Sequence, residues 1–123
     1  MRILIADDDN LSRESIAKFV RKNLHHKVDE ADSGLTAWDK YQSNPYPLVI
    51  SDIRMPGMGG LELLAKINNS ENSKHTKVVM ITGFGELQSS IQALRLNAFD
   101  YLEKPIDVNE LANVIQRIEN LIQ

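Results

Sequence analysis

The chain contains no cysteine, so it can carry neither a disulfide framework, nor a thiolate metal site, nor a thiol nucleophile, and a reducing compartment suits it. It also lacks any excess of basic charge. Fourteen Lys and Arg stand against 17 Asp and Glu, for a net charge of -3, whereas a phosphate-backbone binder needs a basic surface. Direct nucleic-acid contact is therefore not expected. Long hydrophobic runs are missing too: stretches such as Val78-Val79-Met80-Ile81 fall far short of the roughly 20 apolar residues that cross a bilayer. The first residues run straight into a strand pattern without the features of a signal peptide. The expectation is a cytoplasmic protein with no membrane partner. At 123 residues the chain fits one domain with one core, spanning 1–123 without an internal linker or repeat.

What is present is a repeated switch between short apolar runs and longer helical patterns, the mark of an α/β fold with a parallel sheet. Five strand–helix units fit. Ile3-Leu4-Ile5-Ala6, Leu48-Val49-Ile50 and Val78-Val79-Met80-Ile81 are apolar throughout, as inner strands covered on both faces should be. The runs 27–32 and 99–102 mix polar and apolar residues and read as edges. Helical stripes follow from Ile16, Phe19, Val20 and Leu24, from Leu35-Trp38-Tyr41, from Leu61-Leu64-Ile67, from Leu87-Ile91-Leu94, and from Leu111, Val114, Ile115, Ile118 and Ile122. Asp107 with Glu110 resembles a capping box, and Asn97 suits a left-handed cap. His25 and His26 read as cations closing the first helix against its dipole.

Ligands of an open parallel sheet bind beyond the carboxyl ends of its strands. Asp7-Asp8-Asp9 follow the first strand, Asp52 the third, Thr82 the fourth and Lys104 the fifth. Each has an ordinary reading alone, as a helix start, a turn or an exposed lysine; four at four strand ends do not. Clustered carboxylates remain ionised only around a cation, and all-oxygen ligation suits Mg²⁺. Asp52 could then act as an aspartyl nucleophile toward phosphorus, with Lys104 and Thr82 stabilising the phosphoryl oxygens.

The segments ILIADDDN, SDIRMPGMGGLELL, VVMITGFGE and AFDYLEKPID resemble, in order and spacing, the receiver domains of two-component response regulators over essentially the whole chain. The resemblance implies a flavodoxin-like (βα)5 fold with strand order 2-1-3-4-5. It implies Asp52 as phospho-acceptor, Asp7, Asp8 and Asp52 with the Arg54 backbone carbonyl as Mg²⁺ ligands, Lys104 as the phosphate-binding lysine, and Thr82 with Tyr101 as a switch pair. A sensor histidine kinase or phosphotransfer protein would supply the phosphoryl group. An effector would read the surface of the fourth helix, fifth strand and fifth helix, with a phosphorylation-dependent homodimer left open. Such a domain catalyses only its own phosphorylation and dephosphorylation. Gly59 departs from the family's usual aspartate, and caps almost as well. Arg54 and Phe84, two residues after Asp52 and Thr82, are expected to shield the acyl phosphate. A haloacid dehalogenase-type phosphatase would need an acid where Arg54 stands, and a nucleotide binder would not place Asp7-Asp8-Asp9 beside its phosphates.

Overall fold

The computed structural model describes residues 1–83 and 86–122. Five strands, β1 (Arg2–Ala6), β2 (Lys27–Ala31), β3 (Leu48–Asp52), β4 (Lys77–Thr82) and β5 (Asp100–Glu103), alternate with α1 (Asn10–Asn23), α2 (Gly34–Ser43), α3 (Gly60–Asn68), α4 (Leu87–Arg95) and α5 (Val108–Ile122). All neighbouring strands pair in parallel, in the order β2-β1-β3-β4-β5, so the apolar runs are the inner strands and the mixed runs the edges, as expected.

Strand residues alternate between two cores because successive side chains leave opposite faces. Ile3, Ile5, Ile50, Val79 and Ile81 meet Ile16 and Val20 of α1 and Leu111, Ile115 and Ile118 of α5. Leu4, Val49 and Met80 meet Ala37 and Tyr41 of α2, Leu63, Leu64 and Ile67 of α3 and Ala93 of α4. Each such Leu or Ile contributes about 1.5–3 kcal/mol on burial.

Three helical stripes differ from expectation. Leu35 is 59% exposed; Ala37 and Tyr41 turn inward instead, with Trp38 half-buried and stacked on Tyr41. Leu94 is also exposed, and α4 packs through Ser90 and Ala93. The Ser90 hydroxyl donates back to the Glu86 carbonyl at 3.1 Å, so a polar residue can be buried there while small side chains bring the helix close; the side chain of Leu87 lies outside the described residues. On α5 the buried stripe stops at Ile118, leaving Ile122 exposed.

The caps follow local chemistry. Asp107 Oδ1 accepts from the amides of Asn109 at 2.8 Å and Glu110 at 3.4 Å. Asn97 takes φ 67° while the Ala98 amide donates to the Ala93 carbonyl, a six-to-one closure of α4. His25 and His26 are not on α1. Arg21 and Lys22 occupy its last turn, and His26 sits between the Met1 amine, at 2.9 Å, and Glu119, at 2.8 Å.

Candidate functional site

Register brings the chemistry together. Ala6 pairs with Ser51, so the next residues, Asp7 and Asp52, leave neighbouring strands side by side. Asp52 pairs with Ile81 and Thr82 with Glu103, and the Lys104 amide donates to the Thr82 carbonyl at 2.8 Å. That bond returns Lys104 toward β4 and aims its side chain across the sheet end. The Lys104–Pro105 peptide bond is cis.

The acidic triplet splits by role. Asp9 caps α1, its Oδ1 accepting from the amides of Leu11 and Ser12, which satisfies donors left free at the helix start. Asp7 is fully buried and Asp8 exposed. Asp7 Oδ1 accepts from the Asp9 amide at 3.0 Å; its Oδ2, among the described residues, is the buried side-chain polar atom with no hydrogen-bond partner. Carboxylate oxygens of Asp7, Asp8 and Asp52 lie within 4.8 Å of one another.

Lys104 closes the group, its Nζ 2.9 Å from Asp52 Oδ2 and 3.4 Å from Asp7 Oδ2. Burial pushes the Asp52 carboxyl above its ordinary value and the charge of Asp7 adds to this, while the bonds from Lys104 and the Arg54 amide work against it. Burial disfavours the Lys104 ammonium, yet its contacts with Asp52 and Asp7 together hold its pKa above the usual lysine value. A buried carboxylate oxygen without a hydrogen bond, three converging carboxylates and a donor set made of oxygen alone fit a hard divalent cation such as Mg²⁺.

Arg54 donates its backbone amide to Asp52 Oδ1 at 3.2 Å, and with Asp8 it lines a recess beside the carboxylates. Its guanidinium reaches outward to Glu86, Nε to Oε2 at 2.8 Å. Thr82 is buried at the end of β4 and Tyr101 half-buried on β5, packed against the cluster that holds Met80 and Ala93. Phe84 lies outside the described residues.

Two supporting residues escaped the sequence reading. A Cβ on Gly60 would strike the Asp52 carbonyl oxygen, the Met80 terminal methyl and Ile53 Cα, so only glycine lets α3 start against the end of β3. Arg13 donates from Nη1 to the Asp7 carbonyl at 2.9 Å; its one signal was a cation in a first helical turn, where the dipole disfavours it.

Among the described residues no helix is long and apolar enough to cross a membrane. The family model described as "Response regulator receiver domain" matches residues 3–116. The chain is 33% identical over 118 residues to the chemotaxis protein CheY-3 of Vibrio cholerae, covering 96% of this chain and 91% of that protein. It is 36% identical over 117 residues to the regulatory protein AtoC of Escherichia coli, covering 94% of this chain but only 24% of AtoC. The crystal structure of the receiver domain of NtrX from Brucella abortus superposes with a TM-score of 0.86 at 30% identity, covering 94% of this chain and 96% of that one.

Proposed function

Because the chain belongs to the response regulator receiver family, whose members are signalling domains, we propose that its phosphorylation site is Asp52 and that residues 1–123 form one receiver unit. The observation that carries this reading is the placement of Lys104 Nζ between Asp52 and Asp7, a cation already held where a phosphoryl group would need charge compensation.

Asp7, Asp8 and Asp52, with the backbone carbonyl of Arg54, would hold Mg²⁺. When bound, Mg²⁺ shields the phosphoryl oxygens from the carboxylates and steadies their charge during transfer. The donor is a phosphohistidine on a sensor kinase or phosphotransfer protein. An Asp52 oxygen bonds to phosphorus as the phosphorus–nitrogen bond breaks; the imidazole leaves with the electron pair and takes up a proton. Lys104 then moves from the carboxylate to a phosphoryl oxygen, and the Thr82 hydroxyl donates to another. The chain turns over no other substrate and acts in the cytoplasm.

The Thr82 shift opens room for Tyr101 to turn inward, changing the surface of α4, β5 and α5 presented to an effector or a second copy. Exposed side chains on that surface are Gln88, Gln92 and Arg95 on α4, and Asn113, Gln116 and Arg117 on α5. Incubation with a small acyl phosphate and Mg²⁺, followed by mass spectrometry, tests the site. One phosphoryl group on Asp52, lost in Asp52→Asn and in Asp8→Ala at low Mg²⁺, is the expected result; undiminished labelling of Asp52→Asn would refute it.

A further inference from the structure

We propose that Arg13 is a positioning residue for the cation site, acting through the backbone of Asp7; this rests on the reading of Asp7, Asp8 and Asp52 as that site. A helical side chain slants toward the helix N-terminus, so Arg13, in the first turn of α1, reaches back over the end of β1. Its Nη1 donates to the Asp7 carbonyl at 2.9 Å and its Nε to Glu30 Oε1 at 3.1 Å. The side chain is only 12% exposed. Glu30 is itself held from the other side by Arg21 Nη1 at 3.2 Å, and Arg21 Nη2 donates to the Val28 carbonyl at 2.7 Å.

The Asp7 carbonyl that Arg13 holds belongs to the peptide joining Asp7 to Asp8. Fixing its plane fixes the direction in which the chain leaves β1, and with it the backbone position from which the Asp8 carboxylate extends. Asp8 is exposed, and among the described residues no side-chain hydrogen bond or ion pair holds its carboxylate, so the backbone, through the Cα–Cβ direction, is what limits where that carboxylate can reach. Two bonds in different directions, one to the Asp7 carbonyl and one to Glu30 on edge strand β2, leave the guanidinium a single orientation, which a lysine could not reproduce.

Apart from its ion pair with Glu30, the cation stands in an unfavourable place. The first turn of α1 contains no acidic residue, and a cation there opposes both the helix dipole and the binding of a second cation nearby. Two readings therefore differ in sign. If Arg13 acted only as a charge, its removal would tighten Mg²⁺ binding. If it aims the ligands, its removal weakens binding, by about tenfold on the scale seen when residues that orient metal ligands are lost.

The test is Mg²⁺ titration of the unphosphorylated chain by calorimetry and by amide shifts of residues 7, 8 and 52. Arg13→Ala is expected to weaken binding about tenfold, Arg13→Lys less, and Glu30→Gln in the same direction. Asp52 labelling by acyl phosphate should slow at limiting Mg²⁺ and recover at saturation. Arg13→Met keeps most of the apolar stem and stands in if the alanine variant does not fold. Unchanged or tighter Mg²⁺ binding in the folded Arg13 variants would overturn the proposal. Normal labelling of the parent with that result refutes the role of Arg13 alone; weakened Mg²⁺ binding in the Arg13 variants, with a parent that is never labelled at Asp52, refutes the phosphorylation site instead.

Discussion

The Lys104 ammonium lies 2.9 Å from an Asp52 carboxylate oxygen, with the lysine side chain 29% and the aspartate side chain 11% exposed. It therefore occupies part of the electrostatic role a metal ion would have. Replacing Lys104 with alanine should have two opposite effects. Mg²⁺ should bind at least as tightly, since a competing cation is gone, while labelling of Asp52 should slow about a hundredfold through loss of a preorganised donor. The apo protein should also lose about 1–3 kcal/mol, because Asp52 and Asp7 lose their counter-charge. Calorimetry, labelling kinetics and urea unfolding read the three effects separately.

The raised pKa of Asp52, caused first by burial and then by Asp7 against the pull of Lys104 and the Arg54 amide, has a sign in stability. A carboxyl whose pKa rises on folding stabilises fully below its unfolded value, ordinarily 3.8, and that contribution is lost as pH climbs through the folded value. Asp52→Asn removes the titration. Its stability advantage over the parent should grow as pH rises from 3.8 and level off once Asp52 is ionised, by about 1.4 kcal/mol per unit of elevation. Parallel pH profiles in Mg²⁺-free urea melts would contradict this.

Gly60→Ala would usually gain helix propensity of about 1 kcal/mol. Here the added methyl meets the Asp52 carbonyl and Ile53 Cα, both backbone that cannot swing aside. The expected outcome is a net loss of about 1–3 kcal/mol from overpacking, together with slower Asp52 labelling as α3 is pushed off the end of β3. Thermal melts and labelling rates on the same preparation check both.

Arg54 is held outward by Glu86, and a phosphoryl group on Asp52 would compete for it. Arg54→Ala should speed loss of the acyl phosphate and Glu86→Gln should slow it, each about two- to fivefold, the modest size an exposed charge contact supplies. Dephosphorylation followed after removal of the donor distinguishes them; equal rates in all three proteins would leave Arg54 no part in shielding.

A stable phosphoryl mimic should shift amide signals beyond the loops around Asp7, Asp52 and Lys104 into residues 86–117. The inward state must be favoured by a few kcal/mol for the surface to respond. Thr82→Ala should confine the shifts to the site, because the link from phosphate to Tyr101 is cut. Shifts that never reach α4 or α5 in the parent would remove the proposed readout surface.

The strands, their division into inner and edge, and the positions of Asp7, Asp52, Thr82 and Lys104 at strand ends were legible in the residue pattern, since short continuous apolar runs bounded by polar residues suit doubly covered strands; the full order 2-1-3-4-5 came from the family resemblance. Which face a helix buries was less so. Leu35 and Leu94 carry the hydrophobicity of core residues, yet Ala37 and Ala93 fill those places, because close helix–sheet approach is decided by the partner surface and not by a residue's own transfer energy. The split of Asp7-Asp8-Asp9 into a buried carboxylate, an exposed carboxylate and a helix cap also needed the fold, as three identical side chains differ only in direction. So did Arg13 and Gly60: their roles are contacts with backbone atoms of Asp7 and Asp52, and a backbone carbonyl has the same chemistry at every position until tertiary structure decides what lies against it.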